Sequence, residues 1–257
     1  MGYDILQRPQ VGDQVIPETL TGSCPKCGKV LEPDAVFCPQ CGTSRVGQAP
    51  PADSMIGRWI IGQYVVRQKL GEGGMGVVYL ADQPSVGRQA VIKMLHPELL
   101  RDPAVAPRFE VEARAASQLN HPHIITIYNY GAMEDGALYL AMEYCNGVNL
   151  EEAMRQGPFT SERAVGVGVS IADALAEAHR HGVVHRDLKP SNIMLEQKGR
   201  RSDFAKVLDF GIAKVEGLKM TQTGMMIGTP QYMSPEQLRG EALDGRADIY
   251  SLGVMLY

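Results

Sequence analysis

Four of the five cysteines fall in one short segment, and their spacing is typical of a metal site. Two residues separate Cys24 from Cys27, two separate Cys38 from Cys41, and ten lie between the pairs. Each pair sits in the same unit, CPKCG or CPQCG, which can turn the backbone around an ion and present two sulfurs to it. Disulfides or free thiols are the alternative, and four thiolates hold iron as well as zinc. The spacing therefore predicts a tetrahedral metal site without fixing the metal.

A glycine-rich loop begins the second group of residues that could do chemistry. It comprises Leu70, Gly71, Glu72, Gly73, Gly74, Met75 and Gly76. The pattern G-x-G-x-x-G alone is a weak signal, since a dinucleotide-binding turn would need a helix immediately after it. A strand pattern follows here instead, so we predict a hairpin that can lie over phosphates. A glycine-rich hairpin without any ligand is the alternative.

Four more motifs follow along the chain, and together they identify a resemblance. They are Ala90-Val91-Ile92-Lys93, HRDLKPSN at residues 185–192, Asp209-Phe210-Gly211 and Ser234-Pro235-Glu236. The order and spacing of all five motifs resemble the eukaryotic-type protein kinases, specifically the bacterial Ser/Thr kinases. The resemblance covers about residues 58–257. It implies transfer of the γ-phosphate of ATP to Ser or Thr hydroxyls of proteins.

The resemblance assigns the nucleotide side of the reaction to residues of the first half. Phosphoryl transfer depends on positioning and charge neutralisation more than on covalent chemistry. The backbone amides of residues 73–77 would cover the phosphates, where side chains would block the approach. Lys93 would pair with the α- and β-phosphates, and Glu112 would hold Lys93 in place. Glu110 is the competing partner, although its spacing from Lys93 fits the family less well.

The HRDLKPSN motif supplies the transfer side in the same family pattern. Asp187 would orient the substrate hydroxyl and accept its proton, and Lys189 would neutralise charge developing on the γ-phosphate. Asn192 and Asp209 would bind Mg²⁺ through hard oxygen ligands. A lysine at position 189 in this motif is typical of Ser/Thr rather than Tyr specificity.

The resemblance also implies an adenine pocket between two lobes. Val78 and Ala90 would form the roof of this pocket, and Leu195 would form its floor. The strand that connects the lobes would be Met142-Glu143-Tyr144-Cys145. Backbone groups of Glu143 and Cys145 would bind the adenine edge, with Met142 at the back of the pocket. Met142 and Leu195 also fit plain core positions, and the two interpretations are compatible.

The segment between Asp209 and Glu236 contains the expected regulatory residues. Thr221 and Thr223 match the positions at which bacterial kinases of this type phosphorylate themselves. A phosphate there would gain charge-assisted hydrogen bonds to Arg186. The alternative is an unmodified flexible loop.

The cysteine segment resembles the zinc ribbons found at the ends of many bacterial proteins, which favours zinc over iron. A ribbon could also bind nucleic acid. Its basic residues are few, however: Lys26, Lys29 and Arg45 are offset by Glu32 and Asp34. The whole chain carries a net charge of −4, and no basic patch with interleaved aromatic residues occurs. We therefore expect a structural or protein-binding ribbon and no nucleic-acid partner.

Along the chain, short β-rich patterns precede longer helical ones. We predict strands at Tyr64–Leu70, Val77–Ala81, Gln89–Leu95 and near 124–130, 137–143, 193–195 and 205–208. Helices are predicted at about 104–119 and at Thr160–Arg180, with Thr160 as the N-cap. In the second helix, helical spacing is kept by the apolar positions Val165, Val169, Ala172, Leu175 and Ala176. This order predicts an α+β fold in two lobes.

Composition divides the chain into five parts. We predict a tail at 1–22, the ribbon at 23–44, a linker at 45–57, an N-terminal lobe at 58–145 and a C-terminal lobe at 146–257. The chain ends nine residues after Asp248, so we expect a C-terminal lobe that is truncated relative to the family. The sequence does not decide whether such a fragment is active. A catalytically impaired scaffold that binds nucleotide or partners is the rival function.

Targeting signals are lacking in the sequence, which predicts a cytoplasmic location. No apolar run reaches the roughly 20 residues that span a bilayer, and the N-terminus lacks a signal-peptide pattern. A span beyond Tyr257 in a longer chain stays open. Protein substrates are implied as partners, and a homodimer through the N-terminal lobe for autophosphorylation is left open.

Overall fold

The computed structural model describes residues 24, 27–29, 40, 53–199, 201–210 and 230–257. The chain divides into two compact units, Met1–Ala52 and Asp53–Tyr257. The boundary falls inside the predicted 45–57 linker, whose last five residues belong to the second unit. There the Gly57 N–H donates to the Val66 carbonyl at 2.8 Å, so the end of the linker packs on the first long strand.

The first lobe of the second unit is built on an antiparallel sheet. Its strands are β1 (Trp59–Ile60), β2 (Tyr64–Gly73), β3 (Gly76–Gln83), β4 (Arg88–Leu95), β5 (Ile127–Ala132) and β6 (Leu138–Glu143). The spatial order is β1-β2-β3-β4-β6-β5. Helix α1 (Val105–Ser117) lies between β4 and β5 in the chain and packs against β5. The predicted strands and the helix at about 104–119 are confirmed to within a few residues.

Alternation along the strands gives this sheet two apolar faces. Ile92 and Ala141 lie in a core cluster on one face. Leu140 and Met142 point the other way and join a larger cluster that includes Phe109 of α1. That larger cluster continues into the second lobe, so one core supports the elements on both sides of the connecting strand.

The second lobe combines helices with a small antiparallel sheet. The helices are α2 (Leu150–Arg155), α3 (Ser161–Arg180), α4 (Pro235–Arg239) and α5 (Gly245–Leu256). The strands are β7 (Gly147–Asn149), β8 (Ile193–Lys198) and β9 (Arg201–Val207), in the order β7-β8-β9. Thr160 caps α3 as predicted, because its side chain accepts a hydrogen bond from the Arg163 N–H at 3.3 Å. The α+β fold in two lobes is confirmed.

Of the five apolar positions at helical spacing on α3, Leu175 is buried and Ala172 is half-buried. Val165 and Val169 are 62% and 63% exposed, and Ala176 is exposed as well. The buried stripe instead runs through residues such as Val167 and Ile171. Valines recur every second residue in VGVGV, so a helical stripe can be drawn through either set, and only the packing partners decide between them.

Candidate active site

The HRDLKPSN loop is held by the buried carboxylate of Asp248, which is 1% exposed in the first turn of α5. One oxygen accepts from the His185 N–H at 2.8 Å and the other from the Arg186 N–H at 2.9 Å. His179 at the end of α3 donates from Nε2 to the same carboxylate at 2.8 Å. One side chain therefore satisfies two backbone donors of the loop and ties α3 to α5.

His185 connects this loop to the segment before Asp209. Its Nδ1 accepts from the Asp187 N–H at 3.2 Å, so Nε2 carries the proton and donates to the Leu208 carbonyl at 2.8 Å. Burial lowers the pKa of His185, which keeps the ring neutral and preserves this tautomer. The backbone positions of Asp187 and Asp209 are thus linked through one fixed imidazole.

Three of the predicted transfer residues lie together in the loop. Lys189 Nζ is 2.9 Å from Asp187 Oδ2. Asn192 Nδ2 donates to the Asp187 carbonyl at 2.8 Å and lies 3.4 Å from its carboxylate. The arrangement brings together the Asp187 carboxylate, which can accept a proton, the Lys189 cation and the Asn192 amide oxygen. Phosphoryl transfer to a hydroxyl requires these groups close together.

Lys93 of β4 lies opposite this group and contacts Asp209. The ammonium is 2.7 Å from Asp209 Oδ2, although 116 positions separate the two residues in the chain. Burial alone would raise the pKa of Asp209, but Lys93 holds it below its ordinary value, so the group is a carboxylate at neutral pH. Asp209 also has a positive φ of 54°, a conformation that non-glycine residues adopt only when their surroundings enforce it.

The expected ion pair between Lys93 and Glu112 is not formed in the part of the chain that the structure describes. Glu112 on α1 instead lies with Oε1 3.8 Å from Arg186 Nη1, which is an electrostatic contact too long for a hydrogen bond. Asp209 takes the place of Glu112 as the near counter-charge of Lys93. The competing Glu110 pairs with Arg114 of its own helix at 2.7 Å and is exposed.

The glycine-rich loop is the tip of the β2–β3 hairpin. Gly73 and Gly76 are opposite each other in the register. A Cβ at Gly76 would lie 1.9 Å from the Met94 carbonyl oxygen, so glycine is required there by the close approach of β4. A Cβ at Gly71, Gly73 or Gly74 would meet nothing within 4 Å. These three glycines face open space, which leaves their backbone accessible to a ligand.

The residues expected around adenine lie on neighbouring strands. Val78 pairs in register with Lys93, and Ala90 pairs with Glu143. Ala90, Met142, Cys145 and Leu195 are buried. The Glu143 N–H donates to the Thr126 carbonyl at 2.9 Å and is therefore already used within the protein.

A small apolar pocket of about 10 Å³ adjoins Met142. It is lined by Ala116, Ile124, Ile125, Ile127, Leu140, Met142, Asp209 and Phe210. Burial also raises the pKa of the Cys145 thiol to about 12, so Cys145 is a neutral apolar side chain.

Two supporting contacts were not anticipated from the sequence. Lys206 of β9 is 4% exposed and lies 2.7 Å from Glu143, which ties the connecting strand to the strand that leads to Asp209. A lysine inside the apolar run AKVL was the available signal. Gln237 of α4 donates to the Arg186 carbonyl at 2.6 Å and forms a capping box with Ser234, for which the pattern S-P-E-Q was the signal.

In the first unit, the structure describes half of the predicted metal site. The Cys24 N–H donates to the Lys29 carbonyl at 2.8 Å, and the Gly28 N–H donates to the Cys24 carbonyl at 2.9 Å. Gly28 has a φ of 71°, so glycine serves the turn rather than a close approach of the backbone. Cys38 and Cys41, like Thr221 and Thr223, lie outside the described residues.

Residues 64–257 match the protein kinase domain family. The chain belongs to the protein kinase family. Residues 23–45 match the zinc-ribbon domain family, within one residue of the predicted 23–44. The comparisons therefore confirm both the kinase resemblance and the zinc-ribbon resemblance inferred from the sequence.

Bacterial relatives of this kinase domain span most of the chain. It is 46% identical over 216 residues to Serine/threonine-protein kinase pkn3 of Myxococcus xanthus, covering 82% of this chain and 40% of that protein. It is 40% identical over 256 residues to Serine/threonine-protein kinase Pkn1 of Myxococcus xanthus, covering 94% and 36%. The chain thus spans two fifths or less of these curated relatives.

Among solved structures, the PknI kinase domain of Mycobacterium tuberculosis is similar, with a TM-score of 0.63 and 30% identity. That likeness covers 78% of this chain and 74% of the PknI chain. Within the described ranges, none of the helices has both the length and the apolar character needed to cross a membrane.

Proposed function

We propose that the protein is an ATP- and Mg²⁺-dependent Ser/Thr protein kinase that phosphorylates other proteins and its own activation segment. The observation that carries this proposal is the assembly of Asp187, Lys189 and Asn192 in one loop, facing Lys93 and Asp209. A scaffold with no catalytic role would not need this set of charges at hydrogen-bonding distance. The relatives named as Ser/Thr kinases support the same activity.

The residues divide the reaction between them. Asp187 orients the substrate hydroxyl and accepts its proton, and the adjacent Lys189 stabilises negative charge on the transferred group. Asn192 and Asp209 offer the oxygen ligands that Mg²⁺ prefers, and the ion when bound neutralises phosphate charge. Lys93 binds the α- and β-phosphates, so nucleotide binding exchanges its present carboxylate partner for phosphate oxygens.

A transfer assay with labelled ATP and Mg²⁺ tests the proposed activity. We expect the protein to phosphorylate itself and a generic protein substrate, and Lys93→Met and Asp187→Asn to lose about 10²-fold or more of the rate. Glu110→Gln, which changes an exposed helix residue, is the matched control. Nucleotide binding without transfer by the unchanged protein would favour the scaffold function instead.

Regulation by phosphorylation of Thr221 or Thr223 belongs to the same proposal. Arg186 adjoins the catalytic Asp187 and lies near Glu112, so a phosphate bound to Arg186 would compete with Glu112 for this cation. Peptide mapping after incubation with ATP and Mg²⁺ should find phosphate at these two threonines. Phosphate found only at other positions would contradict the assignment.

Autophosphorylation between two copies through the N-terminal lobe is proposed as the route. Trp59 of β1 is 54% exposed, and Ile56 and Ile61, close to it in the chain, are exposed as well, so this lobe offers apolar side chains for contact. The initial rate should rise with the square of protein concentration. A strictly linear dependence would show that phosphorylation occurs within one copy.

We also propose that the four ribbon cysteines bind one structural Zn²⁺. The described turn from Cys24 to Lys29 supports the first pair, and the zinc-ribbon match supports the whole segment. Elemental analysis should give one zinc per chain, lost in the Cys24→Ser/Cys27→Ser variant. Iron in place of zinc, or binding of DNA that weakens with salt, would correct this part of the proposal.

A further inference from the structure

His96, which directly follows β4, makes two contacts with the glycine-rich loop. Its ring Nε2 lies 2.8 Å from the carbonyl oxygen of Gly73, and its backbone N–H donates to the Met75 carbonyl at 3.1 Å. A carbonyl oxygen only accepts, so Nε2 carries the proton and donates. One residue therefore holds two of the three backbone positions that precede Gly76.

The loop is joined to β4 on both sides of its tip. Gly76 lies against Met94 of β4 so closely that no side chain fits there. His96 reaches across from the end of the same strand to Gly73, on the opposite arm of the hairpin. Lys93 lies three positions earlier on β4. The strand that carries Lys93 therefore also fixes the position of the glycine-rich loop relative to Lys93.

The surroundings of the ring favour this orientation. Glu72 Oε1 lies 3.9 Å from His96 Nε2, and the Glu72 carboxylate also accepts a hydrogen bond from Lys69. The imidazole is three quarters buried, with a side-chain exposure of 25%, whereas Gly73 and Gly74 face open space. A ring packed in this way restrains the loop and does not itself occupy the space left for phosphates.

We propose that His96 is a positioning residue that anchors the glycine-rich loop through the Gly73 carbonyl and thereby sets the affinity for the phosphates of the nucleotide. This inference deepens the proposed kinase function and depends on it. With the anchor in place, the backbone amides at the tip are preorganised. Without it, binding must order the hairpin, and that entropic cost weakens the affinity for the phosphate groups.

The test compares Mg²⁺–ADP with adenosine, which lacks phosphates, by calorimetric titration. We expect His96→Ala to weaken Mg²⁺–ADP binding by about fivefold to tenfold, the worth of one hydrogen bond. Adenosine binding should stay unchanged. In the transfer assay, KM for ATP should rise by the same factor, while kcat changes by less than about twofold.

Two further variants separate positioning from a general structural effect. His96→Gln keeps a donor near the Nε2 position and should restore most of the ADP affinity. His181→Ala removes another histidine–carbonyl contact, made to Glu177 at the end of α3, and should bind both ligands like the unchanged protein.

Each contrary result has a separate meaning. Equal ADP binding by His96→Ala and the unchanged protein would overturn the anchor alone. Parallel losses for ADP and adenosine, or a Gln variant as weak as the Ala variant, would also overturn it, because the phosphates or the hydrogen bond would then not be involved. Failure of the unchanged protein to bind ADP would overturn the proposed function, and the anchor with it.

Discussion

The HRDLKPSN loop and the charged groups of the first lobe are held in different ways. The loop is fixed through its backbone, since Asp248 accepts from two consecutive N–H groups and His185 bridges to the Leu208 carbonyl. Lys93 and Glu112 instead contact Asp209 and Arg186 through side-chain ion pairs.

The hydrogen bonds that the loop N–H groups donate to the buried Asp248 carboxylate are shielded from competing solvent. An ion pair at a partly exposed site exchanges readily when another charge arrives. The transfer residues of the HRDLKPSN loop are therefore in place before any nucleotide binds. Lys93 and Glu112, in contrast, contact charged partners that a phosphate group can replace. Variants that act on one region and not on the other test this difference.

Asp248→Ala should have the largest effect, because it removes the acceptor for two buried backbone donors and for His179. Leaving such groups unpaired costs about 3–5 kcal/mol in unfolding free energy. We expect a clearly lower urea midpoint and no measurable phosphoryl transfer. A variant that unfolds at the same urea concentration as the unchanged protein would show that the loop is not held through its backbone.

Glu112→Gln should lower the activity while leaving the stability almost unchanged. The contact with Arg186 is long and partly exposed, so its loss should change the unfolding free energy by less than about 1 kcal/mol. If Glu112 takes Lys93 as its partner when nucleotide binds, kcat/KM should nevertheless fall by about tenfold or more.

Glu110→Gln is the matched control for that variant, since it lies two positions away on α1 and pairs only locally with Arg114 among the described residues. It should leave activity unchanged. Equal activity losses in both variants, or none in Glu112→Gln, would contradict the exchange of partners.

The sequence was enough to predict the two lobes, most strands and the residues that meet in the HRDLKPSN loop. Motif order carries that information, because each motif lies within, between or at an end of the elements that position it. It could not predict the partners of Lys93 and Glu112, since these depend on where α1 packs and on which charges lie nearest. The sequence could not decide the buried face of α3 for a related reason: VGVGV fits two helical stripes, and neighbouring elements determine that Val167 rather than Val165 is buried.

Lys206→Met should give a moderate and pH-dependent loss of stability. Burial raises the pKa of Glu143, but Lys206 and the Thr126 N–H more than offset this and hold it below the ordinary value. A carboxylate with a lowered pKa stabilises the fold above its unfolded pKa of about 4.3, and this contribution is lost as the pH falls through the folded value. At pH 7 the variant should lose about 1.5–3 kcal/mol, and the difference should shrink below about pH 4. A difference independent of pH would assign the effect to packing of the lysine stem.

Ser234→Ala should have the smallest effect and tests whether α4 helps to hold the loop. The variant removes the hydroxyl half of a capping box, which is worth about 1 kcal/mol, while Gln237 can still donate to the Arg186 carbonyl. Gln237→Ala keeps the Ser234 hydroxyl contact but removes the side-chain acceptor of the Ser234 N–H together with the hydrogen bond to the Arg186 carbonyl. If α4 supports the loop through Gln237, Gln237→Ala lowers kcat more than Ser234→Ala does, although the two variants lose similar stability. Equal kcat values would mean that Asp248 alone fixes the backbone at Arg186, and that α4 only covers it.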